Sequence, residues 1–319
     1  MNLATPSGSP RRAIAEGVRE SRWQAADGFA IRRIDWPAPI GPSKGSILFL
    51  PGRGDFYEKY LETLGQWHAD GWHVTASDWR GQADSGRLGL DPTTGHIDDF
   101  ATWVEDLAHL WQTWRAQTPG PHVLAGHSMG GHLVLRALAE AQVDPDGAIL
   151  SAPMLGFLDH RVPQALMHGL ARLMKRLGDP RRAAWKWSEK PGEVPAARVH
   201  LLTHDQDRYA DELWWREHRP ALVMGPGSWG WVERAYASMR LLAARGVLET
   251  VKVPVLIVAS DNDKLVAWDA IAAAAPRLAD CELVHFGHEA RHEILRESDP
   301  VRGRALAACS AFLNRIAAG

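Results

Sequence analysis

Residues 126–131 read Gly-His-Ser-Met-Gly-Gly, which sets Ser128 between glycines two positions away on either side. A serine hydroxyl is a weak nucleophile until a base takes its proton, so the motif carries chemistry only with a histidine and a carboxylate to orient it. Glycine and serine are common enough for this spacing to arise by chance, and the rest of the chain must decide. Downstream, "VPVLIVASDNDKLV" offers Asp261 and Asp263, and "VHFGHEARHEILRE" offers His285, His288 and His292. The order serine, acid, histidine suits acyl transfer through a covalent intermediate. Among 15 histidines, position narrows the choice. His285 falls within an apolar run and His288 at its end. His292 comes later, on a loop from which its side chain can turn back to Ser128.

The elements around Ser128 support this chemistry. "PHVLAGHS" reads as a buried strand and "SMGGHLVLRALAEAQ" as a helix, so Ser128 stands on a strand-to-helix elbow. Gly126 and Gly130 remove side chains that would strike the adjacent strand or helix. The helix also points its positive N-terminal dipole at the negative charge that develops during attack. The amide of Met129, the residue after the nucleophile, is the expected first oxyanion donor.

Four more runs, "GSILFLPGRGD", "WHVTASDWRG", "GAILSAPML" and "CELVHFG", read as strands. Continuous apolar strands alternating with helices predict an α/β fold, a mostly parallel sheet with helices on both faces. "SRWQAADGFAIRRIDW" adds a hairpin around Asp-Gly. Ile97, Phe100, Val104, Leu107, Trp111 and Trp114 mark one face of a long helix. The rhythm breaks between Gly156 and Glu249. The expected organisation is a polar N-terminal arm over 1–20, a core over 21–155 and 250–319, and an inserted helical cap over 156–249. In the cap, Val162, Leu166, Leu170 and Met174 recur at helical spacing. They either wall an acyl channel, with the paired tryptophans Trp185/Trp187, Trp214/Trp215 and Trp229/Trp231, or pack the cap on the core.

The 319 residues are 45% hydrophobic and 23% charged, with a formal net charge of −2. That is globular composition and excludes a nucleic-acid partner. Cys281 and Cys309 lack metal-ligand spacing and are expected as two buried thiols. The N-terminus has no secretory apolar segment and no run is long enough to span a membrane, so a cytoplasmic protein is expected.

From Ser21 onward the chain resembles the α/β-hydrolase superfamily, in the branch of monoacylglycerol lipases and bacterial lysophospholipases. The resemblance rests on "FLPGRGDFYEKY", "DWRGQADSGR", "GHSMGG", "VPVLIVASDNDKLV" and "ARHEILRE", in order, and on the cap stretches "LLTHDQDRYADE" and "GPGSWGWVERAYASM". It implies Asp263 as the acid, with Asp261 where the family carries a small residue, and His292 as the base. It places the second oxyanion donor at the backbone amide of Arg53. Pro51 stands where the family has histidine, and Glu289 where it commonly has glycine. Asp78 and Arg80 are expected to brace the loop beside the site, and the Arg53 side chain to be solvated. The implied activity is hydrolysis of a lysophospholipid or monoacylglycerol, without metal or organic cofactor and with peripheral membrane contact through the cap. A short-chain carboxylesterase, a carbon–carbon bond hydrolase and a peptidase share the same triad. A serine elbow argues against epoxide hydrolases and dehalogenases, and a complete triad against a non-catalytic binding protein. No pattern sets an oligomeric state.

Overall fold

The computed structural model describes residues 10–158, 162–186 and 196–319. The elements in chain order begin with β1 (Arg19–Gln24), β2 (Ala30–Asp35), β3 (Ser46–Leu50), α1 (Leu61–Ala69) and β4 (His73–Ser77). Next come α2 (Phe100–Gln117), β5 (His122–His127), α3 (Met129–Ala139) and β6 (Gly147–Ser151). Four helices follow: α4 (Gln164–Arg176), α5 (Ala196–Leu202), α6 (Gln206–His218) and α7 (Trp229–Ala243). The chain ends with β7 (Val255–Ser260), α8 (Trp268–Ala274), β8 (Cys281–Phe286) and α9 (Asp299–Ala318).

The strands form one sheet in the order β1-β2-β4-β3-β5-β6-β7-β8. β1 and β2 are antiparallel, β2 meets β4 antiparallel, and the other pairs are parallel. The register brings Leu50, Gly126 and Leu150 level, so β3, β5 and β6 end side by side. Ligands in open α/β sheets sit beyond these carboxyl ends.

β3, β5, β6 and β7 are buried along their whole length because helices cover both faces. Alternate residues serve opposite cores: Leu48, Leu50, Leu124 and Leu150 pack against α2 and α3, whereas Ile47, Phe49, Val123 and Ile149 face α9. That is the two-residue period of a strand with both sides dry, which erases the polar alternation of a half-exposed one. The hairpin turns at Gly28, whose φ of +83° places it in the left-handed region.

Two expectations need correction, and the described part of the 1–20 arm is held against the rest of the chain. Arg11 and Arg12 both pair with Asp211 of α6, Trp215 Nε1 donates to the Arg11 carbonyl at 2.9 Å, and β1 already begins at Arg19. Residues 1–9 lie outside the described residues. Of the two thiols, Cys309 is buried but Cys281 is only half-buried, because β8 is the edge of the sheet; both are free. Most of the α4 stripe neither walls a channel nor packs the cap, since Val162, Leu166 and Leu170 face outward with Leu173 and Leu177 and only Met174 is partly buried. Spacing groups residues on a face, but which way the face turns is set by neighbours. Here His168 and Ala171 turn inward, and His168 Nε2 lies 3.2 Å from Glu233 of α7.

The helices between β6 and β7 form a cap over the ends of the parallel strands. His132 Nε2 on α3 lies 2.7 Å from Ser238 Oγ on α7, a direct link from core to cap. Trp187 lies outside the described residues. Among the described residues no helix is long and apolar enough to cross a membrane.

Candidate active site

β5 ends at His127, α3 begins at Met129, and Ser128 between them has φ 52° and ψ −115°. A non-glycine residue at positive φ is strained and persists only where its surroundings hold it. The Ser128 amide donates to the Ser151 carbonyl at 2.9 Å, and its own carbonyl accepts from His132 and Met154, each at 3.0 Å. A Cβ at Gly130 would stand 2.2 Å from the Leu50 carbonyl oxygen, and one at Gly126 2.7 Å from the Gly130 backbone. The elbow closes only because both positions lack side chains.

Ser128 Oγ lies 3.0 Å from His292 Nε2, and His292 Nδ1 lies 2.6 Å from Asp263 Oδ2. The other Asp263 oxygen accepts from the amides of Leu265 and Val266 at 2.7 and 3.1 Å. A carboxylate only accepts, so Nδ1 carries the ring proton and Nε2 is left to accept from the hydroxyl. The two other histidines of that segment, and Asp261, are absent from this chain of contacts. Asp261 is half exposed and pairs with His285 Nε2 at 3.0 Å.

Burial opposes ionisation of Asp263, but His292 and the two amides outweigh it and hold its carboxyl below the usual range. Burial, the largest single influence, also opposes protonation of His292, but the charge and hydrogen bond of Asp263, with the charges of Glu293 and Asp55, together outweigh it and raise its pKa above the ordinary 6.5. A base must be neutral to accept a proton. The acid limb of kcat/KM in the free enzyme is therefore expected above pH 6.5, measured as a rate profile on an uncharged ester; a limb below that value would contradict the geometry. Stability runs the opposite way. A raised histidine pKa contributes stability that is complete below 6.5 and lost as pH rises through the folded value.

The loop after β3 passes directly over Ser128. A Cβ at Gly52 would come within 3.0 Å of Ser128 Cβ. Trp79 Nε1 donates to the Pro51 carbonyl at 2.7 Å, the Gly52 amide to Asp55 Oδ2 at 3.2 Å, and the Gly54 amide to Gln82 Oε1 at 2.7 Å. The amide of Arg53 is thus carried on a loop fixed on both sides of it. Next to Ser128 stands Met129, the first residue of α3, whose amide is one of those a helix leaves without an internal partner. The Arg53 side chain is not solvated as expected. Its Nη2 donates to the Gly225 carbonyl at 2.7 Å, and its guanidinium carbon lies 4.9 and 5.1 Å from the rings of Trp231 and Trp185.

Sequence reasoning missed the charged cluster beside the triad. Lys59 Nζ, fully buried, lies 2.8 Å from Asp55, 3.0 Å from Glu212 of α6 and 2.5 Å from Glu293. Asp55 also accepts from Tyr60 OH at 2.7 Å and lies 3.1 Å from His127 Nδ1. His127 is thereby engaged behind the elbow, away from Ser128 Oγ. No local pattern announces a lysine two of whose three carboxylate partners lie more than 150 residues away; only "GRGDFYEK", which holds the near partner Asp55 on an apolar segment, hints at burial with a partner. Asp78 and Arg80 brace the surrounding loops. Asp78 pairs with Arg32 at 3.1 Å, and Arg80 grips Asp106 and Asp27.

Ser128 and His292 open into a cavity of about 490 Å³, within the range of small-molecule sites. Met154, Phe157, Met167, Trp231, Tyr236 and Val266 give it apolar walls, and Asp55, Lys59, Arg198 and Glu293 line a charged part. Among the described residues no group of three or more His, Cys, Asp or Glu side chains is placed to hold a metal ion.

The family Hydrolase_4, described as serine aminopeptidase S33, matches residues 41–299. Lysophospholipase L2 of Escherichia coli (strain K12) is 32% identical over 286 residues, spanning 84% of this chain and 80% of that protein. Probable lysophospholipase L2 of Haemophilus influenzae is 27% identical over 278 residues, spanning 84% of this chain and 83% of that protein. Among solved structures, a soluble variant of monoglyceride lipase from Saccharomyces cerevisiae superposes with a TM-score of 0.74 at 18% identity, over 98% of this chain and all of that one. The fold is that of the α/β-hydrolases.

Proposed function

The chain belongs to the Hydrolase_4 family, and on that premise we propose that it is a serine hydrolase of carboxylic esters working through Ser128, His292 and Asp263. The observation that carries this reading is the continuous contact from Asp263 through His292 to Ser128 Oγ, opening into an apolar cavity. His292 Nε2 takes the hydroxyl proton as Oγ bonds to the ester carbonyl carbon. Asp263 steadies the imidazolium, and the amides of Met129 and Arg53 receive the oxyanion. Collapse of the tetrahedral intermediate breaks the bond to the alcohol, which leaves with the proton from His292. Water, deprotonated by the same nitrogen, then attacks the acyl-enzyme, releasing the acid and restoring Ser128.

For the substrate we infer a single-chain lipid ester, a lysophospholipid or monoacylglycerol. The lysophospholipase relatives and the apolar cavity walls support that inference. The charged part of the cavity disfavours a peptidase. An aminopeptidase needs a carboxylate for the substrate ammonium, whereas Asp55 and Glu293 are both paired with Lys59.

The outward face of α4 supplies a means of reaching such a substrate. Leu166 and, just past the helix end, Leu177 are 64% and 67% exposed, Leu170 and Leu173 lie between them, and the exposed Arg172 and Arg176 share the helix. An amphipathic helix with basic residues lies in the headgroup plane of a membrane. We read the protein as cytoplasmic, docking peripherally through this face. Its two free cysteines, whose thiol pKa values burial pushes up to about 11 and 12, suit a reducing compartment. The test compares esters of increasing acyl length, in water and in anionic vesicles. Long single-chain esters should be favoured, and Leu166→Ser with Leu170→Ser should slow only the vesicle-borne substrate. Preference for acetate esters would overturn the lipid reading, and equal rates of the double variant on vesicles would overturn the docking.

A further inference from the structure

We propose that the side chain of Arg53 is a positioning residue that ties the oxyanion loop to the cap, so that the second oxyanion donor is set only when the cap is seated. The inference rests on the reading of Ser128 as nucleophile and deepens it.

Arg53 follows Gly52, the residue whose backbone lies against Ser128, but its side chain leaves the core and ends in the cap. Nη2 donates to the Gly225 carbonyl at 2.7 Å, and the guanidinium lies near two indoles, Trp231 on α7 and Trp185 on the segment after α4. A planar cation over aromatic faces makes a directional contact that lysine cannot reproduce. The receiving segment is itself fixed. The Gly225 amide donates to the Thr93 carbonyl at 2.8 Å, Gly95 to Pro226 at 2.9 Å, and Ser228 to Gly95 at 2.8 Å. The Ala184 amide donates to the Gly227 carbonyl at 2.8 Å, which binds the Trp185 segment to the same strip. Trp231 lines the substrate cavity as well as contacting Arg53.

The amides on either side of Arg53 are anchored within the core, to Asp55 and Gln82. Between those two anchors lies the peptide that carries the Arg53 N–H, and the side chain of that same residue is held by the cap. Oxyanion stabilisation depends on a donor about 2.7–3.1 Å from the oxyanion position, so a small rotation is enough to weaken it. Substrate seated against Trp231 thereby helps to set the donor that its own carbonyl will use.

The experiment compares Arg53→Ala and Arg53→Lys with wild type, all titrated for active sites with a fluorophosphonate. Turnover is measured on a butyrate ester, its thiono counterpart and a lysophospholipid, alongside thermal stability. Both variants keep the backbone donor. The expected result is a fall in kcat of about 10- to 100-fold, short of the 10²–10³ for outright loss of a donor. It should be equal for the butyrate ester and the lysophospholipid, with KM little changed and with lysine failing to rescue. The oxo-to-thiono rate ratio should also fall, because sulfur accepts the oxyanion-hole bonds poorly and already forgoes them. Loss confined to the lysophospholipid, and to its KM, would make Arg53 a head-group contact and overturn the proposal. Lowered stability with unchanged kcat per titrated site would make it a structural tie and overturn it as well. If wild-type Ser128 does not react with the fluorophosphonate, the nucleophile assignment itself fails, which separates the two claims.

Discussion

Ser128→Ala is expected to abolish ester turnover, lowering kcat by about 10⁴- to 10⁶-fold, as removal of the nucleophile from a complete triad does. The remaining His292 has only water to activate, and no acyl-enzyme can form. The fold should tolerate the change. The strained φ of 52° is imposed by backbone bonds to Ser151, His132 and Met154, all of which an alanine keeps. The hydroxyl is lost from a single contact, with His292 at 3.0 Å. Thermal melting of the variant should therefore stay within a few degrees of wild type while turnover of a chromogenic ester vanishes. Turnover within tenfold of wild type would show that another group does the chemistry.

Asp263→Asn is expected to cost nearly as much, and the structure says why. One carboxylate oxygen is held by the amides of Leu265 and Val266, and the other faces His292 Nδ1. An asparagine must give its only carbonyl oxygen to the two amides, which turns its NH₂ toward Nδ1. The imidazole then carries its proton on Nε2, the wrong tautomer to accept from Ser128, and a loss of about 10⁴-fold in kcat follows. With the carboxylate gone, the main support for the raised His292 pKa goes too, leaving only the charges of Glu293 and Asp55, and any residual activity should show an acid limb at lower pH than wild type. Asp261→Asn removes only a half-exposed contact with His285 and should change kcat less than twofold. The two variants, assayed side by side over pH, distinguish the neighbouring acids; a larger effect at Asp261 would reverse the assignment.

Much of this was legible in the chain because local pattern carries it. A buried parallel strand is a continuous apolar run, and an elbow needs glycine where backbone crowds it, so the runs ending at Leu50, His127 and Ser260 and the pair Gly126/Gly130 were readable without coordinates. Three features were not. The direction of the α4 stripe depends on what the opposite face meets, here Glu233 and Tyr236 of the cap. The burial of Lys59 depends on carboxylates contributed by α6 and by the loop carrying His292. Nothing local marks the Arg53 side chain as engaged, because its indole partners lie more than 130 residues downstream. Long-range side-chain pairing leaves no periodic trace in sequence.

The most direct measurement of the central claim is reaction of the wild-type protein with a fluorophosphonate, followed by mass spectrometry of the intact chain and of its peptides. A single stoichiometric adduct on Ser128, lost in His292→Ala, is the predicted result. No adduct, or one on a different serine, would contradict it.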